Sequence, residues 1–321
     1  MKNIFFVLLL LTSLFSFSQK EKANYKEVSN IFANNYNIGN YEAIFNMFDA
    51  NMQMALPKEK TIAFFDKNVA PNGKIEKLEF NDLKQGAHIY KTTFEKGVFE
   101  LLISLGTDDK INGLYLKPFI PKDLPVLERN ITKMMLPFNE EWTVSWGGIA
   151  VEDNYHVEYK NQKYAYDLLM TKDDKTYTGD AKRNENYYVF GKEIIAPCDA
   201  TVIKVIIGVK DNVPGEFNPE QLTGNTIVLK TANNEIILFA HFKENSIVVQ
   251  ENQQIKQGDL LGLCGNSGNS SEPHLHLSLQ NVADMNIATG AKLFFENIKV
   301  NGTVKQDYIP IKNDKVQNTN L

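Results

Sequence analysis

Apolar positions change their period along this chain, and those changes divide it. Between residues 25 and 70 they recur at helical spacing: Val28, Ile31 and Phe32 form one stripe, and Tyr41, Ile44, Phe45 and Phe48 form a second, across the break Asn37-Ile38-Gly39-Asn40. A third helix is predicted from Pro57 to Val69, ahead of the turn Pro71-Asn72-Gly73. Beyond that turn the period shortens. Strands are predicted over residues 74–83, 88–94, 98–105 and 111–116, separated by Asn81-Asp82, Gly86, Glu95-Lys96-Gly97 and Thr107-Asp108-Asp109. Helices followed by a strand meander predict an α+β unit, its helices packed on one face of a curved antiparallel sheet.

Pro118, Pro121, Pro125 and Pro137 then punctuate a stretch that reads as a linker over residues 118–141, with a short helix predicted at 124–135. Both tryptophans, Trp142 and Trp146, open a second domain, and Trp146 beside Gly147 and Gly148 is placed either in the core or on the wall of a substrate groove. From there the pattern is short strands and turns, at 200–205, 225–230, 235–242, 246–249 and 260–262, so an all-β domain is expected. A long hairpin tip at 208–223 is expected to border any cleft. The last part of this domain runs from the loop Gly265-Asn266-Ser267-Gly268-Asn269-Ser270-Ser271-Glu272-Pro273 straight into His274-Leu275-His276. On a strand, alternate side chains share a face, so His274 and His276 point together while Leu275 enters the core. That pair suits a metal or proton transfer. The expected division is 1–18, 19–117, 118–141, 142–310 and a polar tail at 311–321.

Composition narrows the possible functions. At 321 residues and 43% hydrophobic content the chain is long enough for two cores. Its formal charge of −5 supplies no basic field for nucleic acid or an anionic membrane. Lys2, an apolar run from Ile4 and the small-x-small Ser16-Phe17-Ser18 read as a cleavable export signal over residues 1–18, so the protein is expected to be exported, with no membrane span after cleavage. Cys198 and Cys264 are the only cysteines, and their spacing leaves open whether they pair. Of five histidines, His88 falls in the first domain and is expected to be an ordinary strand histidine; His156, His241, His274 and His276 fall in the second.

GNSGNSSEPHLHL, with Ala240-His241-Phe242 and the Asp167 of Tyr164-Ala165-Tyr166-Asp167, resembles the lysostaphin-type, LytM-like zinc metallopeptidases (metallopeptidase family 23) over about residues 146–300. The resemblance implies a peptidase fold, one Zn²⁺, and hydrolysis of peptide bonds in peptidoglycan. It implies ligation by His156, Asp167 and His276, and catalytic roles for His241 and His274. It does not fix which of those two does what; His241 is taken as the general base and His274 as the donor to the oxyanion. Asn225, after Gly224, is similar to a family position beside the site, and with Trp146 it forms the expected substrate contacts. One departure stands out: the family spacing is His-x-x-x-Asp, but four before Asp167 stands Lys163, which has no lone pair to give a metal. Either a longer loop over residues 158–163 bulges out and returns His156 to the same place, the arrangement expected here, or the first ligand is missing. The first domain is similar in element order to nuclear-transport-factor-2-like domains, which have a cone-like shape.

Two other readings bear on function. A LytM-like protein without activity would regulate or bind, activating other wall hydrolases; such proteins typically lack the His-x-His or the early His and Asp, whereas here four histidines and Asp167 can be assigned, with His156 depending on the lengthened loop. A lipoyl- or biotinyl-carrier sandwich would need a modifiable lysine at a tight hairpin tip, and no Met-Lys or Asp-Lys-Ala hairpin occurs between the halves at Ile195-Ala196-Pro197 and Lys256-Gln257-Gly258.

Overall fold

The computed structural model describes residues 20–319, so the expected export signal lies outside the described residues. The chain divides into two compact units, one ending at Phe119 and the other beginning at Ile120.

In the first unit α1 (Ala23–Asn37) buries Tyr25, Phe32 and Tyr36 on one face. The second apolar stripe forms α2 (Tyr41–Asn46), and a separate short helix, α3 (Ala50–Ala55), follows it; each starts at its own cap. The side chain of Asn40 accepts from the Ala43 amide, and that of Asp49 from the Met52 amide. The third helix is α4 (Lys58–Phe64), running into a π-helical turn at Phe65–Val69 and stopping at Gly73, whose φ is +83°. Strands β1 (Ile75–Lys84), β2 (Ala87–Phe94), β3 (Gly97–Leu105) and β4 (Ile111–Pro118) follow as an antiparallel sheet in chain order. Phe32, Tyr36, Ile44, Phe48 and Phe65 share one core with Tyr90, Phe94, Leu101 and Ile103 of the sheet. The unit is the expected α+β arrangement. His88 is a fully buried strand histidine stacked on Tyr25, ring centroids 3.6 Å apart.

The second unit is mostly β. It holds β5 (Trp142–Trp146), β6 (Tyr166–Leu169), β7 (Glu193–Ile195), β8 (Ala200–Ile206), β9 (Asn225–Lys230), β10 (Ile236–Phe242) and β11 (Gln254–Ile255). It continues with β12 (Leu260–Leu263), β13 (Leu275–Gln280), β14 (Gly290–Ala291), β15 (Ile298–Val300), β16 (Thr303–Lys305) and β17 (Lys315–Asn318). The main sheet runs β11-β8-β9-β10-β13-β6-β5-β17-β15-β16, with β14 on β13; β12 and β7 form a separate pair. The central strands β9, β10 and β13 are buried along nearly their whole length, which explains runs such as Ile236-Ile237-Leu238-Phe239. No strand forms at residues 246–249, where a turn follows β10.

Two expected boundaries are corrected. Residues 118–141 are not a free linker and carry no helix; beyond the unit boundary they strap the second unit. Met134, Leu136 and Phe138 enter its core, and Phe138 stacks on Trp142 with centroids 4.4 Å apart. The apolar spacing read there as helical is the alternation of an extended segment, held open by prolines. The polar tail is likewise part of the sheet: β17 buries Val316, and Asn318 holds the strap by accepting from the Leu136 amide and donating to the Leu136 and Phe138 carbonyls.

Candidate metal and catalytic site

Neighbouring strands set the site by register. Asp167 on β6 lies opposite Trp146 on β5 and His276 on β13, and His276 lies opposite Ala240 on β10. Directly paired residues share a sheet face, so Trp146, Asp167, His276 and Ala240 form one row along a cleft of about 290 Å³. His274, two residues before His276, joins the same face.

His241 follows Ala240 and on a regular strand would point the other way. Instead the β10–β9 ladder carries a bulge between Phe239 and Phe242, and His241 takes φ +67°. The extra residue re-aims its side chain into the cleft, at the cost of a left-handed backbone that a histidine rarely adopts. The Nδ1–H of His241 donates to the Ser267 carbonyl at 2.7 Å, which leaves Nε2 free. Ser267 reaches it because Gly224 and Gly268 cross in close contact: a Cβ on Gly268 would stand 2.3 Å from the Gly224 amide nitrogen.

His156 reaches the row from the lengthened loop. A 3-10 turn at Tyr155–Glu158 carries it, and a second at Lys160–Gln162 leads back toward β6. Gln280 donates to the Asn161 carbonyl, and Gly290 packs so closely on Lys163 that a Cβ would lie 2.2 Å from its carbonyl oxygen. Asn154 fixes the imidazole. Its amide donates to the carbonyls of Gly148 and Ala165, while its oxygen accepts from both the backbone and Nδ1 of His156. With Nδ1–H committed, Nε2 of His156 carries the lone pair, buried and without a hydrogen-bond partner.

One ligand atom from each of His156, Asp167 and His276 lies within 4.8 Å of the others. Nδ1 of His276 donates to Oδ1 of Asp167 at 2.9 Å, and Nε2 of His156 stands 3.5 Å from Oδ2. His274 turns Nε2 to Asp167 at 3.6 Å and donates from Nδ1 to the Glu272 carbonyl at 2.8 Å. Burial raises the Asp167 pKa, but His274, the hydrogen bond from His276 and His156 outweigh it and hold the carboxyl below the usual carboxylate range. Burial lowers His156 to about 4 against the pull of Asp167. Burial likewise pushes His241 well below an ordinary histidine, aided by His274 and His276. Both imidazoles are therefore neutral near pH 7, as a metal ligand or proton acceptor must be.

Of the expected substrate contacts, Trp146 lines the cleft, edge-on to Tyr155 at 5.2 Å. Asn225 does not. Its amide is consumed by the backbone of Val209 and the Phe242 carbonyl, so it fastens the root of the 208–223 insert to β10. That insert does border the cleft, through Phe217, Leu222 and Thr223. Asn154 and Tyr155 also belong to the site, the latter with its hydroxyl 3.5 Å from Asp167. Neither is visible from motif spacing, though an Asn two residues before a turn histidine is a common cap. Both cysteines are buried and free.

Residues 187–292 match peptidase family M23, a range that contains His241, His274 and His276 and begins after His156 and Asp167. Residues 23–114 match a family of proteins of unknown function, DUF3887, so the first unit's likeness to nuclear-transport-factor-2-like domains remains one of element order. No curated protein matches the chain. Among solved structures, the catalytic domain of the antimicrobial peptidase lysostaphin from Staphylococcus simulans is 18% identical, over 46% of this chain and 86% of that one, at a TM-score of 0.28. A putative glycyl-glycine endopeptidase LytM from Ruminococcus gnavus is 19% identical, over 39% of this chain and 42% of that one, at a TM-score of 0.25. A zinc-containing peptidase from Vibrio cholerae is 14% identical, over 67% of this chain and 83% of that one, at a TM-score of 0.26. Through residues 187–292 of its second unit, the stretch that supplies three of the four clustered histidines, this chain is similar to peptidase family M23.

Proposed function

We propose that the second unit is a zinc endopeptidase that hydrolyses peptide bonds of peptidoglycan, in a protein exported as its amino-terminal pattern implies. The observation that carries this is the convergence of His156, Asp167 and His276, with His241 and His274 beside them. Two imidazoles and a carboxylate are a donor set that suits zinc, and the unpartnered, buried Nε2 of His156 is left without a role unless an ion takes its lone pair. His156 would bind through Nε2, Asp167 through a carboxylate oxygen, and His276 through Nδ1 once the proton it now donates to Asp167 stands on Nε2 instead. A zinc ion there would supply Lewis acidity and lower the pKa of water enough for attack near neutrality.

The protein's own groups handle the protons. His241 and His274 are each tethered at Nδ1, the first to Ser267 and the second to Glu272, so each turns Nε2 to the cleft. A proton taken from the attacking water at Nε2 of His241 makes an imidazolium, which then gives that proton to the leaving amine. His274, once protonated, donates to the oxygen that gains charge on the attacked carbonyl. Trp146 and Tyr155 wall the cleft on one side and the 208–223 insert on another, which leaves an open groove suited to an extended peptide.

The test is a digest of purified sacculi by the zinc-loaded chain and by a His241→Ala form of equal zinc content, read as muropeptides. Cross-linked dimers are expected to fall to monomers with wild type, and on the order of 10²-fold or more slowly with the variant. His276→Ala is expected to lose the ion itself. A zinc-bound wild type that cuts no wall type would replace this reading with the inactive regulator of other hydrolases.

A further inference from the structure

No lysine or arginine lines the cleft; its charged side chains among the described residues are Asp167 and Glu272, besides the histidines. Asp167 is engaged by the histidine cluster. Glu272 is half-buried, and no cationic side chain among the described residues stands within ion-pair distance of it. Its place is nonetheless fixed. The Thr176 hydroxyl donates to its Oε2 at 3.0 Å, and its main-chain carbonyl accepts from both His274 and Ser270. A carboxylate held this way beside His274, with no internal counter-ion, is an acceptor for a cation that arrives with the substrate.

The neighbouring rim is apolar. The insert is stapled to the loop that carries Glu272, the Gly215 amide donating to the Ser271 carbonyl and the Asn218 amide to that of Gly268. On it Phe217 and Leu222 line the cleft while 60% and 62% exposed, large side chains left in water. We propose that Glu272, Phe217 and Leu222 form a subsite for a lysine-like or diamino-acid side chain, an alkyl stem ending in a protonated amine, next to the bond that is cut. The stem lies on the apolar rim and the ammonium meets the carboxylate in a charge-assisted hydrogen bond. This rests on the peptidase reading and names the substrate residue it selects.

The test uses the full zinc-loaded chain and peptides that differ at one position flanking the scissile bond: lysine, Nε-acetyl-lysine or norleucine. Wild type is expected to prefer lysine by about tenfold in kcat/KM. Glu272→Gln, which still accepts from Thr176, is expected to bring that ratio close to one; Thr176→Val, which keeps the charge and frees it, is expected to lower it about threefold. Equal treatment of the three peptides by wild type, or a ratio unchanged in both variants, overturns the proposal. If no peptide is cut, the same ratios are read from Kd by fluorescence anisotropy. Amine-dependent binding that Glu272→Gln abolishes keeps the subsite while removing the peptidase reading, and binding indifferent to the amine removes the subsite.

Discussion

His156 shows how one side chain sets another's chemistry. The Asn154 amide oxygen accepts the hydrogen bond from its Nδ1–H, and burial keeps the ring neutral down to about pH 4, so the Nε2 lone pair faces Asp167 across the working range. Asn154→Ala removes four hydrogen bonds at once. It is expected to weaken zinc binding about 10- to 100-fold by calorimetry, with activity restored by excess zinc. The same burial makes the metal-free protein acid-sensitive. An unfolded histidine takes its proton near pH 6.5, the folded His156 only near 4, so the unfolded state binds the proton first. The stability that depends on neutral His156 is complete above pH 6.5 and is lost as pH falls through that window, on the order of 3 kcal/mol. His241, shifted the same way, adds to the loss. Denaturant midpoints of the apo protein from pH 7 to 4 are expected to fall, and to fall less in His156→Gln. The identities of these histidines were legible from their spacing and from GNSGNSSEPHLHL. The cap by Asn154 was not, because it joins Gly148, His156 and Ala165, which only the folded loop brings together.

Among the elements, three departures from regular structure build the site: the bulge at His241, the turns at residues 155–162 and the crossing of Gly224 with Gly268. A period-two pattern assigns His241 to the face opposite Ala240, and only the shifted β10–β9 register reverses that. The glycine crossing is equally unforgiving. Gly268→Ala places a Cβ against the Gly224 backbone at a φ of +83°. It is expected to cost at least about 2 kcal/mol in urea unfolding and to move Ser267 away from His241. In the first unit the apolar stripe at residues 41–48 outruns its helix, which ends at Asn46, because Asp49 caps a new helix, α3, there.

In the whole molecule, the strap before Trp142 departs furthest from its local sequence pattern. Proline spacing made it look like a linker, yet Leu136 and Phe138 are almost fully buried and their backbone is held by Asn318 from the far end of the chain. A chain beginning at Ile120 is therefore expected to unfold cooperatively by calorimetry, whereas one beginning at Trp142 is expected to lose that transition. Phe138→Ala, which empties the stack on Trp142, is expected to cost about 3–5 kcal/mol. Among the described residues no helix is long and apolar enough to cross a membrane. By itself the sequence determined the succession of helices then strands in the first unit, the mostly β character of the second unit and the group of residues able to hold a metal, since these follow from local period and side-chain chemistry. Only the tertiary structure decided that residues 120–141 and 315–318 close the second core, that Asn225 is a fastener, and that Glu272 stands in the cleft without a cation. Each of those depends on partners tens to hundreds of residues away, whose meeting is set by sheet register and loop closure and leaves no trace in the local pattern.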